Sequence, residues 1–222
     1  MMIEIKKKHV VRLLVVFALI LIMIHSIILG IYYYIDDPDK FDFVQMFDLD
    51  MEANIPTLFS SLLFTAASFL FFLNGKREYA KRKYWWGLSI IFLFLSFDES
   101  ANIHENIGDL TEKFVDASGF LYYPWVLSYI LFVLILGVAY FRFFLRMEHK
   151  IFWRFVLAAV IFLSGAVGFE LLGAQEASLY STDTPLYSLL YTIEESLEMF
   201  GLIYLISLLL TLLDQVTIKI ES

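Results

Sequence analysis

The sequence predicts an all-α fold: an integral membrane helical bundle of about six transmembrane helices, one domain over residues 1–222, with both termini cytoplasmic. Three observations lead there. Of the 222 residues 60% are hydrophobic, and the mean hydropathy is +0.74, well above a soluble domain. Six apolar runs approach the roughly 20 residues that a bilayer-crossing helix needs. And 14 of the 16 lysines and arginines fall on alternate connections between those runs, as the excess of basic residues in cytoplasmic loops requires.

The first run spans about Val10 to Ile35 and the second about Ile55 to Leu73. The third, about Tyr84 to Ile107, carries "FLSFDESANIHENIGD" at its end. The fourth spans about Tyr123 to Phe144, the fifth about Phe152 to Leu172 and the sixth about Leu186 to Leu213. The first is too long for a signal-peptide core and has no small-residue cleavage site behind it, so it counts as a helix. Basic residues cluster at Lys6–Arg12, Lys76–Lys83 and Arg142–Arg154, with Lys219 in the tail, and only Lys40 and Lys113 lie opposite. Trp85 and Trp86 on one side, and Tyr122, Tyr123 and Trp125 on the other, read as interfacial belts.

Composition also excludes. There is no cysteine, hence no disulfide, thiolate metal site or cysteine nucleophile. Four histidines make a three-imidazole site hard to build. The net charge of −8 and the lack of a Gly-rich phosphate loop argue against nucleic acid as a partner.

The acids are asymmetric as well: 19 of 24 fall toward the outer side. Those in the loops, including Asp36, Asp37, Asp39 and Asp42, are solvated surface. Those inside apolar helices are costly and face a bundle interior or a wet cavity. At 100° per residue, Asp98, Glu99, Asn102 and Glu105 share an arc of about 120° on the third helix, and both Asp98 and Glu99 are expected to face helices five and six. Glu194, Glu195 and Glu198 share about 100° on the sixth. Glu170 stands near the outer end of the fifth, with Ala166, Gly173 and Ala174 on its side, where small residues permit close helix approach. His104 falls outside the acidic arc and is carried as a candidate ligand beside it.

Three acidic stripes at one depth predict a carboxylate pocket that needs protons or cations for neutrality. Oxygen donors suit hard divalent ions, and carboxylates with imidazole suit iron; the expected cofactor is one or more divalent metal ions, with iron, manganese, zinc and calcium all open. The predicted ligands are Glu52, Asp98, Glu99, His104, Glu105, Glu170, Glu194, Glu195 and Glu198. The Glu-x-x-His spacing of di-iron bundles is absent, and no serine has a histidine in register to make it a nucleophile.

The stretches "FDLDMEANIPTLFSS", "FLFLSFDESANIHE", "GFELLG" and "YTIEESLEMFG" together resemble a family of uncharacterised bacterial multi-pass membrane proteins, over about Phe47 to Leu210. The resemblance implies a multi-pass protein of the cell inner (cytoplasmic) membrane. It brings Glu52 in with the other motif acids and carries no established activity. Three function classes stay open: a metalloenzyme embedded among lipids and acting on an apolar substrate, a cation or proton-coupled transporter, and a structural subunit. Membrane lipids are the expected partners, with a homo-oligomer or a larger membrane complex left open. The inner halves of the helices are almost purely Leu, Ile and Phe, which favours a one-sided site over a conduction path.

Overall fold

The computed structural model describes residues 2–4, 6–34, 45–213 and 217–219. Asp36, Asp37, Asp39, Lys40 and Asp42 lie outside them. The described chain is a helical bundle: α1 (Lys7–Tyr34), α2 (Ile55–Arg77), α3 (Arg82–Ala101), α4 (Ile103–Thr111), α5 (Trp125–Leu145), α6 (His149–Leu163), a π-helical segment (Ser164–Phe169), α7 (Glu170–Leu179) and α8 (Pro185–Leu212). A three-residue antiparallel ribbon, β1 (Met2–Glu4) with β2 (Thr217–Lys219), ties the two chain ends together.

Among the described residues five helices are long and apolar enough to cross a membrane: α1, α2, α5, the continuous 31-residue run His149–Leu179 and α8. The sixth expected span, α3, is not among these five. Its 20 residues carry Arg82 and Lys83 at one end and Asp98 and Glu99 at the other, which dilutes its hydropathy. The fifth predicted helix is longer than expected at both ends, and the π segment joins α6 to α7 without a break. The basic connections gather at one end of the bundle: Lys7 Nζ lies 3.5 Å from Thr211 Oγ1, and Arg77 Nη1 donates to Leu212 O at 2.6 Å.

Local chemistry sets the ends. Asn54 caps α2 by accepting from the Thr57 N–H, and its amide donates to Asp48 O at 2.6 Å; Pro56 fits the first turn, where no N–H is needed. Thr184 and Pro185 repeat the device on α8. The third predicted helix does not run to Ile107. Asn102 adopts φ 52°, ψ 42°, the left-handed conformation that ends helices and that Asn tolerates better than most residues. The chain then restarts as α4 in a new direction.

Packing centres on α8, whose Met199, Leu202, Ile203, Ile206, Leu208 and Leu209 are buried against α1, α2 and α6. Helices α2 and α3 pack closely through small hydroxyls. Ser61 bonds Ser96 at 3.0 Å, Thr65 bonds Ser96 at 2.8 Å and Ser68 bonds Ser89 O at 2.7 Å, the way polar side chains join helices in lipid. Trp85, expected in an interfacial belt, is instead 3% exposed, and its indole N–H donates to Glu78.

Helix α5 is held differently from the rest. At its outer end Thr111 bonds Ser128 at 2.8 Å. At its inner end Phe143 stacks on Tyr84 and Phe144 packs against Phe155. Between these anchors Tyr129 and Tyr140 tie the helix to α3, while Phe132, Val133, Leu136, Gly137 and Phe141 line open space.

Candidate functional site: an acidic chamber over an apolar shaft

That space is one cavity of about 1010 Å³ enclosed by α2, α3, α4, α5, α6, α7 and α8. All nine predicted ligands line it: Glu52, Asp98, Glu99, His104, Glu105, Glu170, Glu194, Glu195 and Glu198. Its inner part is apolar, with Phe64, Phe71, Phe92, Phe155, Phe162 and Leu205 in the wall. No lysine or arginine lines it among the described residues.

The nine residues form two groups. The first surrounds His104. The left-handed Asn102 turns α4 back so that the His104 N–H donates to Asp98 Oδ1 at 2.7 Å. Its ring nitrogens both meet carboxylates, Nδ1 at 3.5 Å from Asp98 Oδ1 and Nε2 at 3.3 Å from Glu52 Oε1. Tyr129 of α5 donates to Asp98 Oδ2 at 2.5 Å, and Trp125 packs its ring 5.0 Å from the imidazole. Asp98 is buried as expected, yet it faces α4 and α5, not the fifth and sixth predicted helices. The wheel that excluded His104 assumed an unbroken helix. Trp125 likewise serves this group instead of a belt.

Both members outside the spanning helices have displaced protonation equilibria. Burial raises the Glu52 carboxyl, with His104 opposing and Glu105, Asp98 and Asp50 adding to it. Burial acts to lower His104, but the hydrogen bond and charge of Asp98 and the charges of Glu52 and Glu99 outweigh it and raise it. His104 therefore holds its proton more tightly than an ordinary imidazole. Glu52 Oε2 is buried with no hydrogen-bond partner among the described residues.

The second group lies deeper: Glu99 from α3, Glu170 from α7, and Glu194, Glu195 and Glu198 from α8. Glu170 and Glu194 are within hydrogen-bonding reach of one another, and a bond between two carboxyl groups requires a proton on one of them. Glu198 feels the charges of Glu99 and Glu170, and Glu195 those of Glu198 and Glu99. These side chains sit at depth, and their accessible surface is cavity wall. Glu198 is 13 residues beyond Pro185, about 20 Å along the axis, so the acids reach the middle of the bundle and not only its outer half.

Close backbone contact brings α8 and the π segment together. A Cβ on Gly165 would come within 2.6 Å of Glu194 O, and one on Gly201 within 2.8 Å of Phe162. The expected small-residue face supplies a looser contact, Gly173 against Tyr187 at 3.7 Å. A π segment adds a residue to the turn and is frequent at functional sites; here it ends where Glu170 begins.

Sequence reasoning missed a third set of residues at the cavity's outer edge. Tyr123 and Tyr187 share a hydrogen bond of 2.9 Å, and Tyr187 donates to Asp50 Oδ1 at 3.1 Å. Tyr123 therefore belongs to a bonded chain, not a belt. Burial pushes Asp50 up to about 6, with Tyr187 opposing and Asp48 adding, and burial pushes Tyr123 up to about 12. His25, fully buried, accepts the Leu49 N–H at 3.2 Å and reaches Thr192 at 3.1 Å, so it clips this loop to α1 and α8. Nothing in the periodicity signals these contacts, which join segments 24 to 167 residues apart.

Among the described residues no three His, Asp or Glu side chains already stand together as a metal site. A metal ion would need the deep glutamates to turn toward one another within the chamber.

Residues 13–213 match the family model described as Domain of unknown function (DUF8692). No curated protein and no solved structure matches the chain.

Proposed function

The chain belongs to this family of unknown function, and from its site we propose that it is a multi-pass protein of the cell inner membrane that binds a cation in the acidic chamber and an apolar substrate in the shaft beneath. The observation that carries this reading is the wall itself. Five deep carboxylates from three helices share one cavity with no lysine or arginine in it among the described residues. So many anions at close range cannot all remain charged without a counter-ion. Oxygen donors fit a hard divalent ion. Glu99, Glu170, Glu195 and Glu198 would hold it, with Glu194 beside Glu170 and with Glu52, Asp98, His104 and Glu105 at the margin. Such an ion supplies Lewis-acid chemistry at the junction of the polar and apolar halves, which makes a membrane-embedded metalloenzyme the leading class. Both termini lie on the cytoplasmic side in this reading, since the basic connections share one end of the bundle.

A second reading, a cation or proton-coupled carrier, rests on the Glu170–Glu194 carboxyl pair beside a π-helical segment. A shared proton that a cation displaces is the elementary step of such exchange.

Elemental analysis of the purified protein, followed by thermal unfolding with added Mn²⁺, Fe²⁺, Zn²⁺ or Ca²⁺, tests the cation site. A ligand at a hundred times its dissociation constant stabilises by about 2.7 kcal/mol. Melting temperatures that none of the ions raises, together with no co-purifying metal, would refute the metal reading. Metal-dependent uptake of the ion into sealed vesicles would select the carrier over the enzyme.

A further inference from the structure

We propose that the chamber and shaft together bind a single-chain amphiphile with an ammonium head, which enters sideways from the bilayer between α5 and α6. This rests on the reading that the acidic chamber binds cations, and it names the organic class the cavity takes.

Size is the first argument. A volume of about 1010 Å³ is at the top of the range of roughly 300–1,000 Å³ for small-molecule sites, far more than one metal ion fills. Polarity is the second. The cavity is acidic toward its outer end and lined by phenylalanine and leucine toward its inner end, so its occupant is an amphiphile with head outward and tail inward. Charge is the third. Glu195 and Glu198 are half-buried, line the cavity and have no hydrogen-bond partner among the described residues. Glu52 Oε2 is buried and unpartnered on the same wall. Ionised carboxylates only accept hydrogen bonds, so the head that satisfies them donates and carries positive charge; a carboxylate or phosphate head meets repulsion.

The route follows from α5. Tyr129 and Tyr140 tie it to α3, while Val133, Leu136 and Gly137 of the same helix line the cavity. Gly137 and Phe141 of α5 and Ala159 of α6 line the cavity and are also exposed on the flank of the bundle. The cavity therefore opens between these helices at the level of the apolar part, where a lipid chain already lies. A Cβ on Gly137 would meet nothing within 4 Å, so the opening has room for a chain.

The test uses the full-length protein in lipid nanodiscs and a hexadecylamine that carries a photoreactive diazirine in its chain. Crosslinks are expected on Val133, Gly137 and Ala159. Unlabelled hexadecylamine should compete at about tenfold lower concentration than hexadecanol or palmitate, and butylamine should not compete. Gly137→Phe and Ala159→Phe, two independent fillings of the opening, should each cut labelling severalfold while Mn²⁺ binding and the melting temperature stay at parental values. Equal competition by hexadecanol, better competition by palmitate, labelling confined to outward-facing Leu134 and Val138, or full labelling in both variants would overturn the proposal. If Mn²⁺ binds and the amine does not, the amphiphile falls and the cation chamber stands; if neither binds, both fall.

Discussion

His104 Nε2 stands 3.3 Å from Glu52 Oε1, and that contact joins the loop before α2 to the start of α4 across the mouth of the cavity. With Asp98 on its other side, the imidazole is held between two carboxylates contributed by different segments. The pair makes stability depend on pH in a direction that can be worked out.

His104 binds its proton more tightly in the folded protein, since Asp98, Glu52 and Glu99 outweigh its burial. Its contribution is thus fully present below the unfolded value of about 6.5 and is lost as pH rises through the folded value. Asp50, raised by burial to about 6, and Glu52, also raised by burial, act in the same direction. Their contributions are present at acid pH and fade as the carboxyls ionise. Melting temperature should therefore fall from pH 5 toward pH 9. His104→Asn should destabilise by about 1–3 kcal/mol at pH 6 and by much less at pH 9. A variant whose deficit grows with pH would show that the imidazole is held neutral.

The glycines of the π segment separate a packing requirement from helix propensity. Gly165→Ala puts a methyl within 2.6 Å of Glu194 O, a backbone atom that cannot step aside, whereas the same change at Gly168 meets nothing within 4 Å. Gly165→Ala should cost about 1–3 kcal/mol as overpacking. Gly168→Ala should be neutral or stabilise by up to about 1 kcal/mol. Thermal unfolding of the two variants decides it, and equal effects would mean that α8 does not press on Gly165. The carboxylates of Glu194 and Glu198 ride on this contact, so metal affinity should fall with stability in the first variant only.

The five long apolar helices were legible because a bilayer imposes a length and a composition, both written in the chain. The convergence of Glu99, Glu170, Glu194, Glu195 and Glu198 was legible for a related reason: ionisable groups inside apolar helices have few places to go. The break at Asn102 was not legible. The polar residues on either side fit a continuous wheel, and one left-handed residue leaves no mark on periodicity. With the break unseen, His104 was placed on the wrong face and the Asp98–Tyr129 bond to α5 could not be foreseen. The π segment was equally hidden, since "SGAVGF" reads as ordinary small-residue helix. The open space along α5 depends on what the other helices leave unfilled, which no single segment encodes.

The proposed orientation rests on the basic connections and is checked by single cysteines, for which the cysteine-free chain is a clean background. Lys81→Cys and Lys113→Cys occupy opposite ends of the α2–α5 region. In inside-out and right-side-out vesicles they should react with an impermeant maleimide from opposite sides, Lys81→Cys from the cytoplasm. Labelling of both from one side would remove α3 as a span and, with it, the placing of the acids within the membrane.

Glu170 provides the sharpest test of the cation chamber. Its carboxyl is within hydrogen-bonding reach of Glu194, and it is the one acid on the wall contributed by the α6–α7 run. Glu170→Gln preserves the size of the side chain and keeps a hydrogen bond, because the amide donates to Glu194 without a shared proton. It removes one ionisable oxygen ligand, and with it the shared proton, while the charge of the pair stays the same. The metal-free variant should therefore be as stable as the parent or somewhat more stable, since the hydrogen bond is kept and no proton has to be held between two carboxyls. The metal-loaded comparison should run the other way. A lost carboxylate ligand weakens a hard-ion site, and affinity should drop by about tenfold or more, equivalent to 1.4 kcal/mol, with the metal-induced rise in melting temperature shrinking in step. Both arms are read from unfolding curves with and without Mn²⁺. Unchanged Mn²⁺ affinity would mean that Glu170 does not face the bound ion. Loss of stability in the metal-free arm would mean that the Glu170–Glu194 contact holds the fold and is no cation site held in reserve.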